Sequence, residues 1–127
     1  VVDFTTNSGP HVITVKYDSY RMTSASFGLT DPRAANYYDT LIAKSIRISA
    51  DGEFVHKRDW DVQEMGVKNT SHGCINVGSP YIDWFYANFG AGDIVDVTGT
   101  NRKLDVHNGL GDWVLSWDEW LKGSALK

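Results

Sequence analysis

The residue best suited to do chemistry in this sequence is its one cysteine. Cys74 stands in the run Thr70-Ser71-His72-Gly73-Cys74-Ile75-Asn76-Val77. A free thiol titrates at about 8.5, so only a few per cent is thiolate at neutral pH; an imidazole that takes the proton makes it a nucleophile, leaving an ion pair. Two histidines are candidates. His72 is two residues away, which in an extended segment puts its side chain on the face of the thiol. His56 ends a strand argued below, and a strand end is a rigid platform for a base. Gly73 permits a tight turn and a close approach of substrate. Cys74 lies in the loop leading into a helix, so its own N–H is placed to serve as an oxyanion donor. Other readings of these residues stay open. A single cysteine is often a buried structural one, and either histidine could be a satisfied structural residue. His56, His72 and Cys74 could also be three zinc ligands with one open position. No second cysteine or clustered histidine supports a structural zinc, and His11 and His107 receive no role.

The elements that must position these residues are partly legible. Residues 12–17 alternate and predict a strand with Ile13, Val15 and Tyr17 on one face. A second strand is possible over 20–27, and residues 28–35, rich in turn formers, predict a loop. Residues 45–50 alternate again, with Ile46 and Ile48 toward the core. Asp51-Gly52 then signals a type I′ hairpin, and residues 53–56 form the return strand that carries His56. Ser79-Pro80 predicts a helix start, with Ser79 as N-cap and Pro80 at the first helical position. The stripe Tyr81, Ile82, Phe85, Tyr86 and Phe89 is helical, and Gly90 ends it. Residues 92–98 predict a strand. Ser116 and Glu119 form a capping box for a short last helix that ends at Gly123. Trp117 and Trp120 lie at helical spacing within it, with Trp113 just before, and are expected to be buried as a clamp against the main domain. Strands dominate, so the fold class is mainly β with minor helix.

Composition narrows the function. A chain of 127 residues, 42% apolar and 22% charged, is one ordinary globular domain. The net charge of −4 disfavours a polyanion, so nucleic acid is not an expected partner. No apolar run reaches the roughly 20 residues of a membrane helix. The chain opens on Val1-Val2-Asp3, without an initiator methionine or signal peptide, and is expected to be a processed or truncated piece of something longer.

The run Ser71-His72-Gly73-Cys74-Ile75-Asn76, with His56 upstream and residues 57–70 between, resembles the signature of the YkuD-type L,D-transpeptidases, the peptidoglycan cross-linking enzymes. Trp84-Phe85-Tyr86 followed by Gly92-Asp93-Ile94-Val95 also matches. The tail Gly109-Leu110-Gly111-Asp112-Trp113 with Trp117-Asp118-Glu119-Trp120 resembles the C-terminal subdomain of the mycobacterial branch.

The resemblance implies a β-sandwich-like catalytic domain over residues 1–99, with a Trp-containing C-terminal subdomain over 100–127 packed on it. The family has further strands before the stretch matching Thr5–Gly9, so the resemblance too implies an N-terminally truncated domain. It makes Cys74 the nucleophile and His56 the general base, with His72 and Gly73 shaping the site. A backbone carbonyl at Lys57 would orient His56, and the lysine's charge would favour thiolate if it pointed inward. Asn76 matches a substrate-contact or loop-bracing position. Tyr38 matches a lid aromatic, Asp51 and Gly52 a donor groove, and Met22, Phe27 and Trp60 groove and lid positions; Phe27 replaces an expected tyrosine. Implied partners are peptidoglycan stem peptides, donor tetrapeptide and acceptor, and carbapenems as covalent inhibitors. No metal or organic cofactor is implied, and the setting is the cell envelope. Two alternatives stand beside this: a cysteine or zinc-dependent peptidoglycan peptidase, and a non-catalytic wall-binding module.

Overall fold

The computed structural model describes residues 3–126. Its strands are β1 (Gly9–Val12), β2 (Val15–Thr23), β3 (Asp39–Arg47), β4 (Phe54–Lys57), β5 (Ile75–Val77) and β6 (Ile94–Val97), with helices α1 (Tyr81–Asn88) and α2 (Trp117–Lys122). Four strands form one sheet in the order β2-β3-β4-β5, and β1 pairs with β6 in a second. The domain is mainly β, as the sequence argued.

Within the larger sheet β2, β3 and β4 are antiparallel neighbours, but β5 lies parallel to β4, with Val55 opposite Ile75 and His56 opposite Asn76. A parallel pair needs a long crossover, here residues 58–74, and that crossover delivers Cys74 to the edge of β5. Buried Arg58 ties it down: the guanidinium donates to the Trp60 carbonyl at 3.0 Å, to the Thr70 hydroxyl and to the Glu64 carboxylate at 3.2 Å.

The two faces of the sheet carry different cores. Ile13, Ile46, Ile48, Val55 and Ile82 form an aliphatic cluster, with Ile75, Val77 and α1 residues Phe85 and Tyr86 packed on it. Met22, Ile42 and Phe54 form the other, joined by Tyr17, Tyr20, Tyr38 and Cys74. Simple two-residue alternation would keep Ile42 and Ile46 on one face. They part because Lys44 adopts φ +48°, which turns the strand over between them. Paired β2 turns with it opposite Lys44, so Tyr17 and Tyr20 share the aromatic cluster, while Ile13, in the break before β2, joins the aliphatic one. The single face expected for Ile13 and Tyr17 is therefore divided.

Other expectations shift locally. The expected strand over 12–17 is broken at Ile13 and Thr14, and residues 24–27 form a 3₁₀ turn. The 49–52 turn is not type I′: Gly52 (φ +97°) has positive φ but Asp51 does not, whereas type I′ needs both. The turn is closed by Ile48 N–H donating to the Glu53 carbonyl at 3.0 Å, and by Ala50 and Asp51 N–H donating to Asn108 Oδ1. Helix α1 starts after Pro80, not Ser79, because the Ser79 amide and hydroxyl both donate to the Asp59 carboxylate. Tyr81 lies outside the buried stripe of α1 and is 72% exposed. The Ser116–Glu119 capping box forms as read.

The tryptophan clamp does not form. Trp113, Trp117 and Trp120 are 63%, 69% and 45% exposed. What joins the tail to the rest is the stretch before them: Lys103 bridges to Ser8, Leu104 is buried, and Asn108 holds the 49–52 turn. Helical spacing puts the rings on a shared face; it does not supply a layer to cover them.

Candidate active site

The β4–β5 register assembles the site. Side chains alternate along each strand, so Phe54 and His56 share a face with Cys74 and Asn76, while Val55, Lys57, Ile75 and Val77 point to the other. His56 faces Asn76 and is the diagonal neighbour of Cys74, a relation that brings long side chains within reach. Both line a cavity of about 190 Å³ with Met22, Tyr38, Thr40, Ile42, Arg58, Trp60, Thr70, Ser71, His72 and Asn76. Cys74 also lines a larger cavity of about 560 Å³ beside Phe4, Thr6, Lys68 and Asn101, so the thiol stands between two openings.

Hydrogen bonding fixes the tautomer of His56. Its Nδ1 lies 3.0 Å from the Lys57 carbonyl. A carbonyl only accepts, so Nδ1 carries the hydrogen and Nε2 keeps a lone pair. Burial holds His56 below the usual histidine range; the bond to Lys57 opposes this and the Arg58 charge adds to it. The Cys74 thiol is pushed up to about 11, mainly by burial, with Glu53 and Asp51 raising it further and the Phe54 backbone and Arg47 opposing. A thiol at that value is thiolate in on the order of one molecule in 10⁴ at pH 7. Burial thus works against charge on both groups and favours neutral thiol and neutral imidazole over an ion pair. Lys57 does not supply the missing charge: its ammonium points to the α1 side, 3.1 Å from Asp59 and 3.8 Å from Asp83.

The Gly73 turn is held from three sides. Gly73 has φ +108°, and a Cβ there would lie 3.5 Å from the Glu53 side chain. The Gly73 carbonyl accepts from the Thr6 hydroxyl at 2.8 Å, and the Cys74 carbonyl from the Ser71 hydroxyl at 2.6 Å. His72 is packed among rings, 4.6 Å from both Phe4 and Tyr38 and 6.0 Å from Phe27. It is a wall of the site, and burial lowers its affinity for a proton. Among the described residues no three His, Cys, Asp or Glu side chains converge as a metal-ligand set.

The remaining candidates divide. Tyr38, Met22, Trp60 and Asn76 line the cavity of Cys74 and His56. Asp51 and Gly52 lie beyond it, in a cavity of about 350 Å³ that Met22 and Tyr38 also line; the Gly52 carbonyl is 3.7 Å from the Cys74 sulfur. Phe27 sits at the rim, half exposed, against Tyr38 and His72.

Sequence reading missed Arg58 and a buried polar cluster behind the nucleophile. Glu53 is 4% exposed; its Oε1 accepts from the Asn7 amide at 2.8 Å and the Asn7 side chain at 3.0 Å. Its Oε2 has no hydrogen-bond partner among the described residues and lies 3.9 Å from His11 Nδ1. Burial raises the Glu53 carboxyl, the Asn7 bonds opposing. His11 places one ring nitrogen 3.0 Å from the Ile48 carbonyl and the other 2.8 Å from the Asn7 carbonyl. The one available signal was charge inside an apolar strand pattern, at Glu53 before Phe54-Val55.

A thiol and an oriented imidazole thus stand together on parallel strands, walled by aromatic rings. The chain belongs to the YkuD family, the L,D-transpeptidase catalytic domain, which matches residues 2–97. It is 38% identical over 121 residues to L,D-transpeptidase 2 of Mycobacterium tuberculosis (strain CDC 1551 / Oshkosh), covering 94% of this chain and 29% of that protein. The structure resembles L,D-transpeptidase 3 from Mycobacterium tuberculosis in complex with a faropenem-derived adduct, with a TM-score of 0.69 and 29% identity over 76% of this chain and 40% of that one. It also resembles the LD transpeptidase LdtMt1 in complex with imipenem, with a TM-score of 0.68 and 27% identity over 73% of this chain and 43% of that one. The chain thus spans well under half the length of each of these relatives.

Proposed function

We propose that this domain is the catalytic part of a peptidoglycan L,D-transpeptidase that forms 3→3 cross-links through an acyl-enzyme on Cys74. The observation that carries the reading is His56, its Nδ1–H committed to the Lys57 carbonyl, lining one cavity with Cys74. His56 Nε2 takes the thiol proton as the sulfur attacks the carbonyl of the diamino acid in a donor tetrapeptide stem. With so little resting thiolate, proton transfer and attack are coupled, which is the work of a general base. The backbone N–H groups of Gly73 and Cys74 hold the oxyanion, on a turn whose carbonyls are already tied to Thr6 and Ser71. The bond to D-alanine breaks, and its nitrogen receives the proton from His56. The amine of an acceptor stem then attacks the thioester; its proton passes by His56 to the departing sulfur, and the thiol is restored. The setting is extracytoplasmic, where the substrate is. Among the described residues no helix is long and apolar enough to cross a membrane.

Intact-mass measurement after mixing with imipenem tests the chemistry. The expected result is one adduct, absent from Cys74→Ala, while that variant keeps its melting temperature. An unmodified parent, or a Cys74→Ala variant that still gains mass, overturns the assignment. Product analysis with paired stems separates transfer from hydrolysis.

A further inference from the structure

Among the described residues, Arg47 is the one arginine without a carboxylate within 4.0 Å. Arg21 pairs with Asp39, Arg33 with Asp31, Arg58 with Glu64, and Arg102 reaches Asp51. Arg47 ends β3 directly opposite Phe54. Its guanidinium lies 4.6 Å from the centre of the Phe54 ring and 5.7 Å from that of Tyr20, and donates to the Tyr20 hydroxyl at 3.2 Å. Among the described residues its only other hydrogen bond is a long one, 3.5 Å, to the Ser49 carbonyl. A guanidinium has five donors in a planar fork suited to a carboxylate, and this one is left short of acceptors.

The group opens on the cavity of about 350 Å³ that Tyr38, Gly52 and Phe54 also line. Two other charged groups face that cavity, and both are engaged: Arg21 with Asp39, and Asp51 with the Ser49 hydroxyl and Arg102. The cavity adjoins the nucleophile. Phe54 precedes Val55, whose partner is Ile75, so Cys74 stands beside Phe54 on the far side from Arg47. Arg47, Phe54 and Cys74 make one row across three strands, and two strand spacings are about 10 Å.

We propose that Arg47 forms a carboxylate-binding subsite, so that the domain prefers an acyl donor carrying a free carboxylate within about 10 Å of the carbonyl that Cys74 attacks. The inference rests on the transpeptidase reading above. It adds a determinant of which donor is used, and makes Arg47 a binding residue with no part in proton transfer. Two donor carboxylates are tested: that of the leaving D-alanine and, where the diamino acid carries one, that on its side chain.

The test compares three synthetic tetrapeptide donors with one acceptor amine: the free acid, the C-terminal alaninamide, and the stem amidated at the diamino acid side chain. The parent is expected to disfavour one amide by about 10-fold or more in kcat/KM, mostly through KM, as fits a lost charged, bidentate contact, and which amide it is names the carboxylate. In Arg47→Gln the acid and amide donors become equivalent, with the amide used as well as by the parent. Arg47→Lys, a point charge without the fork, recovers part of the preference. A structural lesion would instead slow all three donors alike. A parent that uses all three equally, or an Arg47→Gln variant that keeps the parent's preference or slows every donor to the same degree, overturns the subsite. A parent that turns over no donor and takes no imipenem overturns the transpeptidase reading beneath it.

Discussion

The two faces of the β2-β3-β4-β5 sheet are built from neighbouring residues of the same strands, yet they differ in kind. One is aliphatic and closed: Ile13, Ile46, Ile48, Val55 and Ile82 are each no more than 4% exposed. The other is made of Met22, Ile42 and Phe54 with tyrosines and a thiol, and it opens into cavities. β-Branched side chains fill the first, and its paired strand residues Ile46 and Val55 pin the register, because a one-residue slip would turn both to the other face. Rings with polar tips fill the second, and they can border a cavity without exposing bare hydrocarbon. Register is thus secured on the closed face, and the cavities of the other face inherit it.

If that division holds, damage should sort by face. The largest effect is expected at His56: His56→Gln should slow imipenem acylation by roughly 10² to 10⁴-fold with the melting temperature unchanged. The pH profile sharpens this. Acylation needs neutral imidazole, so the parent rate should rise with pH through a value below 6.5 and keep rising as pH approaches the thiol value of about 11. His56→Gln should lose the lower limb only. On the closed face, Ile46→Ala should cost about 2–5 kcal/mol in urea unfolding, while the protein that remains folded is acylated at the parent rate. Tyr38→Phe comes next, with a fall in acylation of roughly 10 to 10²-fold for one lost hydrogen bond to the transition state. Tyr37→Phe should be nearly silent, since Tyr37 is not among the residues lining the cavity. Smallest of all is Trp117→Ala. An exposed ring on a short helix should change stability by less than about 0.5 kcal/mol and leave acylation unaltered. A large loss of stability there would show that the tail is part of a core.

The residues proposed for the site were more legible than the frame around them. The spacing of His56, His72 and Cys74 is local and chemical, and so could be read directly. So could the β3–β4 hairpin and the Ser116–Glu119 capping box, whose signals lie within a few residues. The parallel pairing of a three-residue β5 left no such mark, because its partner is set by the crossover and not by a turn. Lys44 was illegible for another reason: a lysine with positive φ is indistinguishable in sequence from a lysine in a regular strand. The buried His11, Glu53 and Arg58 take partners such as Ile48, Asn7 and Thr70 from other parts of the chain, and periodicity records none of that. The exposed tryptophans show the converse, that an apolar stripe marks a shared face without saying what lies opposite.

One feature of the site bears on the order in which the molecule comes together. The segment before β1 reaches the nucleophile turn across the whole length of the sheet sequence: Phe4 packs on His72, Thr6 bonds Gly73 and Asn7 bonds Glu53. These contacts join residues far apart in the chain, 67 positions for Thr6 and Gly73 and 46 for Asn7 and Glu53, and loop-closure entropy makes such pairings slow to form. A short irregular segment held by a few side-chain bonds also opens at lower free energy than paired strands. The turn that carries Cys74 is therefore expected to be completed late in folding and lost early in unfolding. In mild urea, acylation should fade and the amides of residues 4–8 should exchange while the β2–β3 amides are still protected.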